Sequence, residues 1–382
     1  MRKLKFLVVP DSFKDCMPAT EVAKNIQKGV RSVFTNAETT IIPMADGGEG
    51  TVACVINAVG GEIVNIEALD PIGRATGGFF GLINQGKTAI IEMASASGLE
   101  KLKVHERNPW ITSSYGTGQL IKAALDLGCT DIIVGIGGSA TNDGGMGMAK
   151  ALGVKFYDSN GNCLDEGGGC LNQLYTIDAT KLDARIANTS IIAATDVVSP
   201  LIGVAGASLV YSRQKGAALE MAKQLDTNLT HFATIIKDSY SIDISYISGG
   251  GAAGGLGAGL VVFLNAEIKS GFDTIAQLIK LEDKIQGCDI IITAEGKVDD
   301  QTLQGKLPIG LGKLAKKHNK PLFLFTGNAT VNTFDLNANG ISSLIPITRK
   351  PTSLEDAILQ APIWLEKSAE ELCKVLDAGA KM

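Results

Sequence analysis

Histidine is scarce in this 382-residue chain: His105, His231 and His318 are the only three, and none are spaced to share a metal ion. A zinc centre or a Ser-His-Asp hydrolase therefore has little support, because both need imidazole at a converging site. The seven cysteines are odd in number and scattered, with no Cys-x-x-Cys pair. Such thiols fit a reducing, cytoplasmic compartment rather than a disulfide framework. No stretch approaches the ~20 apolar residues that a membrane helix requires. The apolar run behind the basic opening Met1-Arg2-Lys3 is too short for a signal-peptide core and reads instead as a first strand. Excess positive charge is also missing: the formal net charge is -5. Neither a nucleic-acid nor an anionic-membrane partner is expected, since such binding needs clustered Lys and Arg. The short basic set Lys313, Lys316, Lys317 and Lys320 reads as a solvated helix face.

What the chain does have is length, apolar residue and glycine. At 382 residues it exceeds what a single core usually organises, so two domains are expected. The first quarter reads as a βα unit: an apolar strand, Leu4 to Val9, precedes a helix from about Thr20 with Val22, Ile26 and Val30 on one face. Thr40 to Pro43 follows as a strand. The last quarter repeats this character, with strands at Asp289 to Thr293, Pro321 to Thr326 and Ile341 to Ile347 and a long amphipathic helix from about Leu354. The middle differs. Asp70 to Leu99 suggests hairpins with turns at Gly77-Gly78 and Asn84 to Lys87; a helix at Gly118 to Leu127 and strands at Ile132 to Val134, Ile191 to Ala194 and Leu209 to Tyr211 follow. The expected fold class is α/β, with a discontinuous Rossmann-like parallel-sheet domain (1–66 and 268–382) carrying an inserted second α/β domain (67–267). A cleft between them is the default site, with crossings near Asn65 to Asp70 and Glu267 to Gly271 available as hinges.

Two motifs match better in letters than in context. Gly81-Leu82-Ile83-Asn84-Gln85-Gly86-Lys87-Thr88 satisfies the Walker A pattern, but the following Thr88 to Met93 is β-branched and strand-like where a P-loop needs a helix. Gly249 to Gly254 fits Gly-x-Gly-x-x-Gly, and Gly135 to Ala140 its alanine variant; among 45 glycines a chance match is expected. The segment Gly135 to Gly153 is more informative, because it joins an apolar strand to a helix-like run at Met146 to Leu152. Glycines there let backbone N–H groups approach an anion at a helix N-terminus, and Ser139, Thr141, Asn142 and Asp143 add polar groups. A tight strand-to-helix corner is the plainer use of the same glycines. For Gly249 to Gly255 close helix packing stands level with phosphate contact.

In open α/β sheets ligands bind beyond the carboxyl ends of strands. Asp11, Ser12 and Lys14 follow the first strand, and Asp46, Gly47, Gly48 and Glu49 the second. Thr293, Glu295, Lys297, Asp299 and Asp300 follow Ile292; Thr326, Gly327 and Asn328 follow Phe325; Thr195 and Asp196 end the strand at Ile191 to Ala194. Singly, each carboxylate is as readily a helix cap or a solvated turn. Together with Lys14, Lys215 and Lys306, which suit phosphate, they fit phosphoryl transfer, where Mg²⁺ takes oxygen ligands and a carboxylate accepts the proton of an attacking hydroxyl.

These segments together closely resemble the type-1 glycerate kinase family. The matching blocks begin with Pro10 to Lys14, Glu21 to Ala23, Pro43 to Thr51, Asp70 to Arg74, Ala94 to Leu99 and Arg107 to Pro109. They continue with Ser114 to Gly118, Gly135 to Gly147, Gln214 to Ala217 and Gln301 to Lys306, and span nearly the whole chain. The resemblance implies a two-domain α/β enzyme that phosphorylates D-glycerate with ATP and Mg²⁺. The chain departs from the family pattern at Tyr211 to Gln214, at Ser248 to Gly250, and at Ala294 and Lys297, where Gly and Arg are common. Lys297 keeps the charge but loses a bidentate fork.

On this basis the catalytic residues are expected to be Asp46, Asp196 and Lys14, with Asp46 and Asp196 also at the metal. Gly137, Gly138, Ser139, Thr141, Asn142, Asp143, Gly144 and Lys215 are expected to hold ATP, and Asp11, Ser12, Arg74, Glu295, Asp299 and Lys306 the glycerate. Two rival functions remain open: a dinucleotide-dependent hydroxyacid oxidoreductase using the glycine loops, and a non-catalytic carboxylate-binding protein.

Overall fold

The computed structural model describes residues 3–13, 16–44, 47–299 and 302–381. It divides into two compact units, Met1–Ala45 with Ile275–Met382, and Asp46–Thr274. The strands in chain order are β1 (Lys5–Val8), β2 (Glu38–Ile41), β3 (Glu62–Leu69), β4 (Ala75–Ile83), β5 (Thr88–Glu92), β6 (Asp131–Gly135) and β7 (Lys155–Tyr157). They are followed by β8 (Thr176–Asp178), β9 (Ser190–Ala194), β10 (Glu267–Lys269), β11 (Ile290–Val298), β12 (Leu322–Ala329) and β13 (Ser343–Pro346). No helix among the described residues is long and apolar enough to cross a membrane.

The unit built from the two chain ends holds a fully parallel sheet in the order β13-β12-β11-β1-β2. Its central strands β1, β11 and β12 carry apolar runs because helices cover both faces of such a sheet. The stripe Val22, Ile26 and Val30 of the helix Ala19–Val33 is wholly buried, as its four-residue spacing requires. Gly29 lies on the same helix, and a Cβ there would fall 2.7 Å from that of Ala369, so glycine permits close approach of the C-terminal helix Leu354–Gly379. Phe6, Val8, Ile292, Phe325, Trp364 and Leu365 fill the core between.

The middle unit holds a mixed sheet, β10-β9-β6-β5-β4-β3, in which β10, β9, β6 and β5 run parallel and β4 and β3 antiparallel. The Walker-like segment is the turn between β4 and β5, with a three-residue helical turn at Asn84–Gly86. Gly77 and Gly78 do not form a turn: they lie inside β4, where the missing Cβ of Gly78 leaves room for Leu120. The chain turns instead at Asp70 to Gly73, with Gly73 in the left-handed region at φ +84°. Leu209 to Tyr211 is the end of a helix, Ala207–Tyr211, not a strand. Three apolar residues carry no period, and packing of the buried Ala207 and Ser208 decides the conformation.

The unit boundaries also differ from those expected from composition. Residues 47–66 fold with the middle unit, because β3 pairs with β4 along its whole length, from Glu62 opposite Leu82 to Leu69 opposite Ala75. The second boundary, between Thr274 and Ile275, falls inside the helix Gly271–Leu278.

Candidate active site

In the middle unit the parallel register aligns the carboxyl ends of three strands, with Glu92 of β5 opposite Gly135 of β6 and Gly135 opposite Ala194 of β9. The glycine-rich loop leaves from this edge. Gly135 and Gly137 are needed because the segment Gly47–Gly48 lies directly on them: a Cβ on Gly135 would strike the Gly47 carbonyl, and one on Gly137 would lie 2.7 Å from Gly48 Cα. Gly137 N donates to Gly47 O at 3.2 Å. Gly138 has φ +74°, a conformation that glycine adopts without steric cost. Its carbonyl accepts from Leu99 N at 2.9 Å, and Ala140 N donates to Ser97 O at 3.0 Å, so the loop is clamped on both sides of Ser139.

Ser139 is 8 % exposed, and its Oγ accepts a 2.7 Å hydrogen bond from Lys215 Nζ. The same ammonium donates to Thr141 O at 2.7 Å. Lys215 is 2 % exposed, and burial pushes its pKa down to about 7, partly opposed by the charge of Asp143. Beyond Ser139 the loop turns inward. Thr141 Oγ1 donates to Ala253 O, and Asn142 Nδ2 to Ser208 Oγ at 2.9 Å. Asn142 Oδ1 is buried without a hydrogen-bond partner among the described residues. Asp143 is fully enclosed; it accepts from Ser114 N and Oγ, from Gly145 N at 3.1 Å and from Gly147 N at 3.2 Å. Burial holds its carboxyl above the usual range despite these donors. Gly144, at φ +64°, donates from its N–H to Gly254 O at 3.0 Å. A Cβ on Gly254 would strike the Thr141 backbone, so the two glycine-rich segments pack against each other.

Of the expected binding groups in this unit, Gly138 is exposed and Gly137 partly so, Ser139 is buried beside Lys215, and the buried Thr141, Asn142 and Asp143 make internal bonds that leave Asn142 Oδ1 without a partner among the described residues. Asp196, just beyond β9, accepts from Ser270 Oγ at 2.8 Å and from Phe272 N at 3.2 Å, at the start of the helix Gly271–Leu278. Arg74, half-exposed, has its fork occupied by two acids, Asp70 at 2.6 Å and Glu106 at 2.8 Å.

Three further carboxyl groups sit beside the loop without having been picked out as site residues. Glu92 is buried at the end of β5, accepts from Val52 N at 2.7 Å, and is pushed above its ordinary range by burial. Glu49 and Glu100 are hydrogen-bonded to each other; burial, this bond and their mutual repulsion raise the pKa of Glu49. A carboxyl pair of this kind joins residues far apart in the chain, and no local pattern announces it.

In the other unit, β1 and β11 lie side by side, and the chain leaves β1 toward β2 on the opposite flank. Adjacent strands whose connections run opposite ways open a crevice at their carboxyl ends. Asp11 N donates to Ala294 O at 2.9 Å, which places Asp11 beside Glu295. Ser12 follows with its N–H directed to Asp11 Oδ1. Glu295 is buried; it accepts from Thr302 Oγ1 at 2.9 Å and stands 3.8 Å from Lys306 Nζ. Lys297 pairs with Asp299 at 3.0 Å. Lys14 and Asp46 lie outside the described residues.

Each unit thus offers polar groups at the carboxyl ends of parallel strands: a glycine loop with backbone N–H groups in one, and carboxylates with a lysine in the other. Anion binding by the first and cation or hydroxyl binding by the second is the chemistry these groups support. Comparison with known proteins gives this chemistry a family. The family model described as Glycerate kinase family matches residues 6–377. The chain is 42% identical over 378 residues to a protein named glycerate 2-kinase from Escherichia coli (strain K12), covering 99% of both chains. It is 42% identical over 379 residues to a glycerate kinase from Bacillus subtilis (strain 168), again covering 99% of both. A crystal structure described as a putative glycerate kinase 2 from Salmonella typhimurium LT2 superposes with a TM-score of 0.84 at 41% identity, covering all of each chain. The full-length match in sequence and in fold makes this chain a member of the glycerate kinase family.

Proposed function

We propose that the protein transfers the γ-phosphoryl group of ATP to D-glycerate. The observation that carries this is the end-to-end similarity to proteins named glycerate kinases, with the glycine loop and the strand-end carboxylates falling within the matched residues. The glycine loop suits the nucleotide: the backbone N–H groups of Gly138 and Ser139, which follow the Gly137 N–H bonded to Gly47 O, supply fixed donors to phosphate oxygens. The other unit's Asp11, Ser12, Glu295 and Lys306 suit a small hydroxyacid. Asp196, with Asp46, is the base that accepts the hydroxyl proton in this scheme, and Lys14 supports the transferring phosphate.

Mg²⁺ neutralises charge on the phosphates when bound. Among the described residues no three His, Cys, Asp or Glu side chains converge as a metal cage. Mg²⁺ is usually held by one or two carboxylates together with substrate phosphates. Asp196 and Asp46 are the carboxylates assigned to it. The name of the Escherichia coli relative favours the 2-hydroxyl as acceptor. The seven scattered cysteines, with no Cys-x-x-Cys pair, support a cytoplasmic setting.

A coupled assay of ADP release over a panel of hydroxyacids tests the function, with ³¹P NMR of the product reporting which hydroxyl is phosphorylated. The expected result is ADP release dependent on D-glycerate and Mg²⁺, with 2-phosphoglycerate formed. A nicotinamide absorbance change with glycerate would establish the oxidoreductase instead, and binding without either signal the carboxylate-binding protein.

A further inference from the structure

Lys215 is a buried cation beside the glycine loop, and its ammonium is directed inward. Its side chain is 2 % exposed, and its ammonium donates inward to Ser139 Oγ and Thr141 O, both at 2.7 Å. Ser139 is less enclosed and stands between Gly138, at φ +74°, and the inward-turning Thr141. An ammonium has donors and no acceptor, so Ser139 Oγ must accept from it, and the hydroxyl's own proton must point away from Nζ.

We propose that Lys215 is a positioning residue that, by donating to Ser139 Oγ, obliges the Ser139 hydroxyl to donate outward to an oxyanion bound at the glycine loop. This rests on the loop's being the anion cradle of the proposed function. The oxyanion is a phosphate of the nucleotide or the carboxylate of the hydroxyacid. Nearby charge comes from Asp143, which is itself held by Ser114, Gly145 and Gly147 and attracts the ammonium without touching it. The desolvation that lowers the Lys215 pKa to about 7 makes the arrangement reversible near neutral pH. Once the amine is neutral it gains a lone pair, the Ser139 proton can turn inward, and the outward donor is lost.

The test is calorimetric titration of the full chain with AMP-PNP and Mg²⁺, and separately with D-glycerate, from pH 6 to 9. Wild type, Ser139→Ala, Ser139→Thr, Lys215→Met and the double variant are compared, with thermal melting confirming the fold of each. Affinity of wild type for one of the two ligands is expected to weaken as pH rises through about 7. Ser139→Ala should lose about ten-fold at low pH, the worth of a hydrogen bond to a charged group, and lose the pH dependence too. Ser139→Thr should restore both, and Lys215→Met should add nothing to Ser139→Ala. The ligand affected names the oxyanion. Independent losses in the double variant, or a pH dependence that survives in Ser139→Ala, would overturn the proposal; because Ser139→Ala and Ser139→Thr are small changes, the result stands even if Lys215→Met does not fold. Absence of glycerate-dependent ADP release from wild type would refute the kinase function on its own.

Discussion

Asp143 accepts hydrogen bonds from both the backbone N–H and the hydroxyl of Ser114, each at 2.8 Å, across 29 residues of chain. Ser114 Oγ in turn accepts from Met148 N at 2.9 Å. The glycine loop, the start of the helix Tyr115–Asp126 and the helix Met146–Ala151 are therefore tied at one fully buried carboxylate. Replacing Asp143 by Ala leaves the donors of Ser114, Gly145 and Gly147 without an acceptor. The expected loss is about 1–3 kcal/mol for each buried donor stranded. Urea unfolding monitored by circular dichroism measures it; a midpoint within error of wild type would show that solvent replaces the carboxylate.

The Lys215 amine makes stability depend on pH in a definite direction. Its folded pKa, about 7, lies below the unfolded value, about 10.4. Between these the unfolded chain binds the extra proton, so stability rises with pH across that window. The slope from this one group is at most about 1.4 kcal/mol per pH unit. Lys215→Met removes that contribution, so the stability difference between variant and wild type should change steadily from pH 7 to 9. Parallel stability curves would place the ammonium's pKa in the ordinary range.

Glu49 and Glu100 give the opposite sign. Burial and the neighbouring carboxyl raise the Glu49 pKa, so the folded protein binds more protons than the unfolded chain above about 4.3. This pair's contribution is present at low pH and is lost as pH rises through the raised folded value. Glu100→Gln removes the repulsion and should flatten the decline, measurable as a gain in melting temperature at pH 7 relative to pH 4.5. An equal shift at both pH values would mean that Glu100 does not raise the Glu49 pKa.

Gly138 stands in the left-handed region with 3.2 Å to Ala94 from a built Cβ. Valine there meets both the positive φ and the crowding, at about 1–2 kcal/mol for the backbone alone. The expected phenotype is a folded enzyme with a raised KM for ATP. Unchanged ATP affinity with glycerate binding lost would move the loop to the acceptor.

For Asp196, Asn substitution separates a base from a cap. A base gives a fall in kcat of roughly 10²-fold or more. A cap alone gives a loss of about 1 kcal/mol in stability with kcat retained, because Ser270 Oγ and Phe272 N then lose a charged acceptor. Steady-state kinetics and melting temperature on the same preparation decide between them.

What the sequence by itself determined was set by local periodicity and backbone chemistry. The four-residue spacing of Val22, Ile26 and Val30 specifies a helix with one buried face, and the β-branched run after Lys87 specifies a strand where a P-loop would need a helix. The order of its motifs carried the family, because these blocks span the chain. What only the tertiary structure decided depends on partners distant in sequence. Gly77 and Gly78 look like a turn until Leu120 is packed against Gly78, and residues 47–66 look like part of the terminal unit until β3 finds β4. Thr141, Asn142 and Asp143 read as polar groups of a glycine loop, and only the fold brings Ala253, Ser208 and Ser114 to bond with them. Lys215 shows the same limit most sharply. Its charge is written in the chain, but its depressed pKa and its hold on Ser139 arise from desolvation, which depends on everything the fold brings around it.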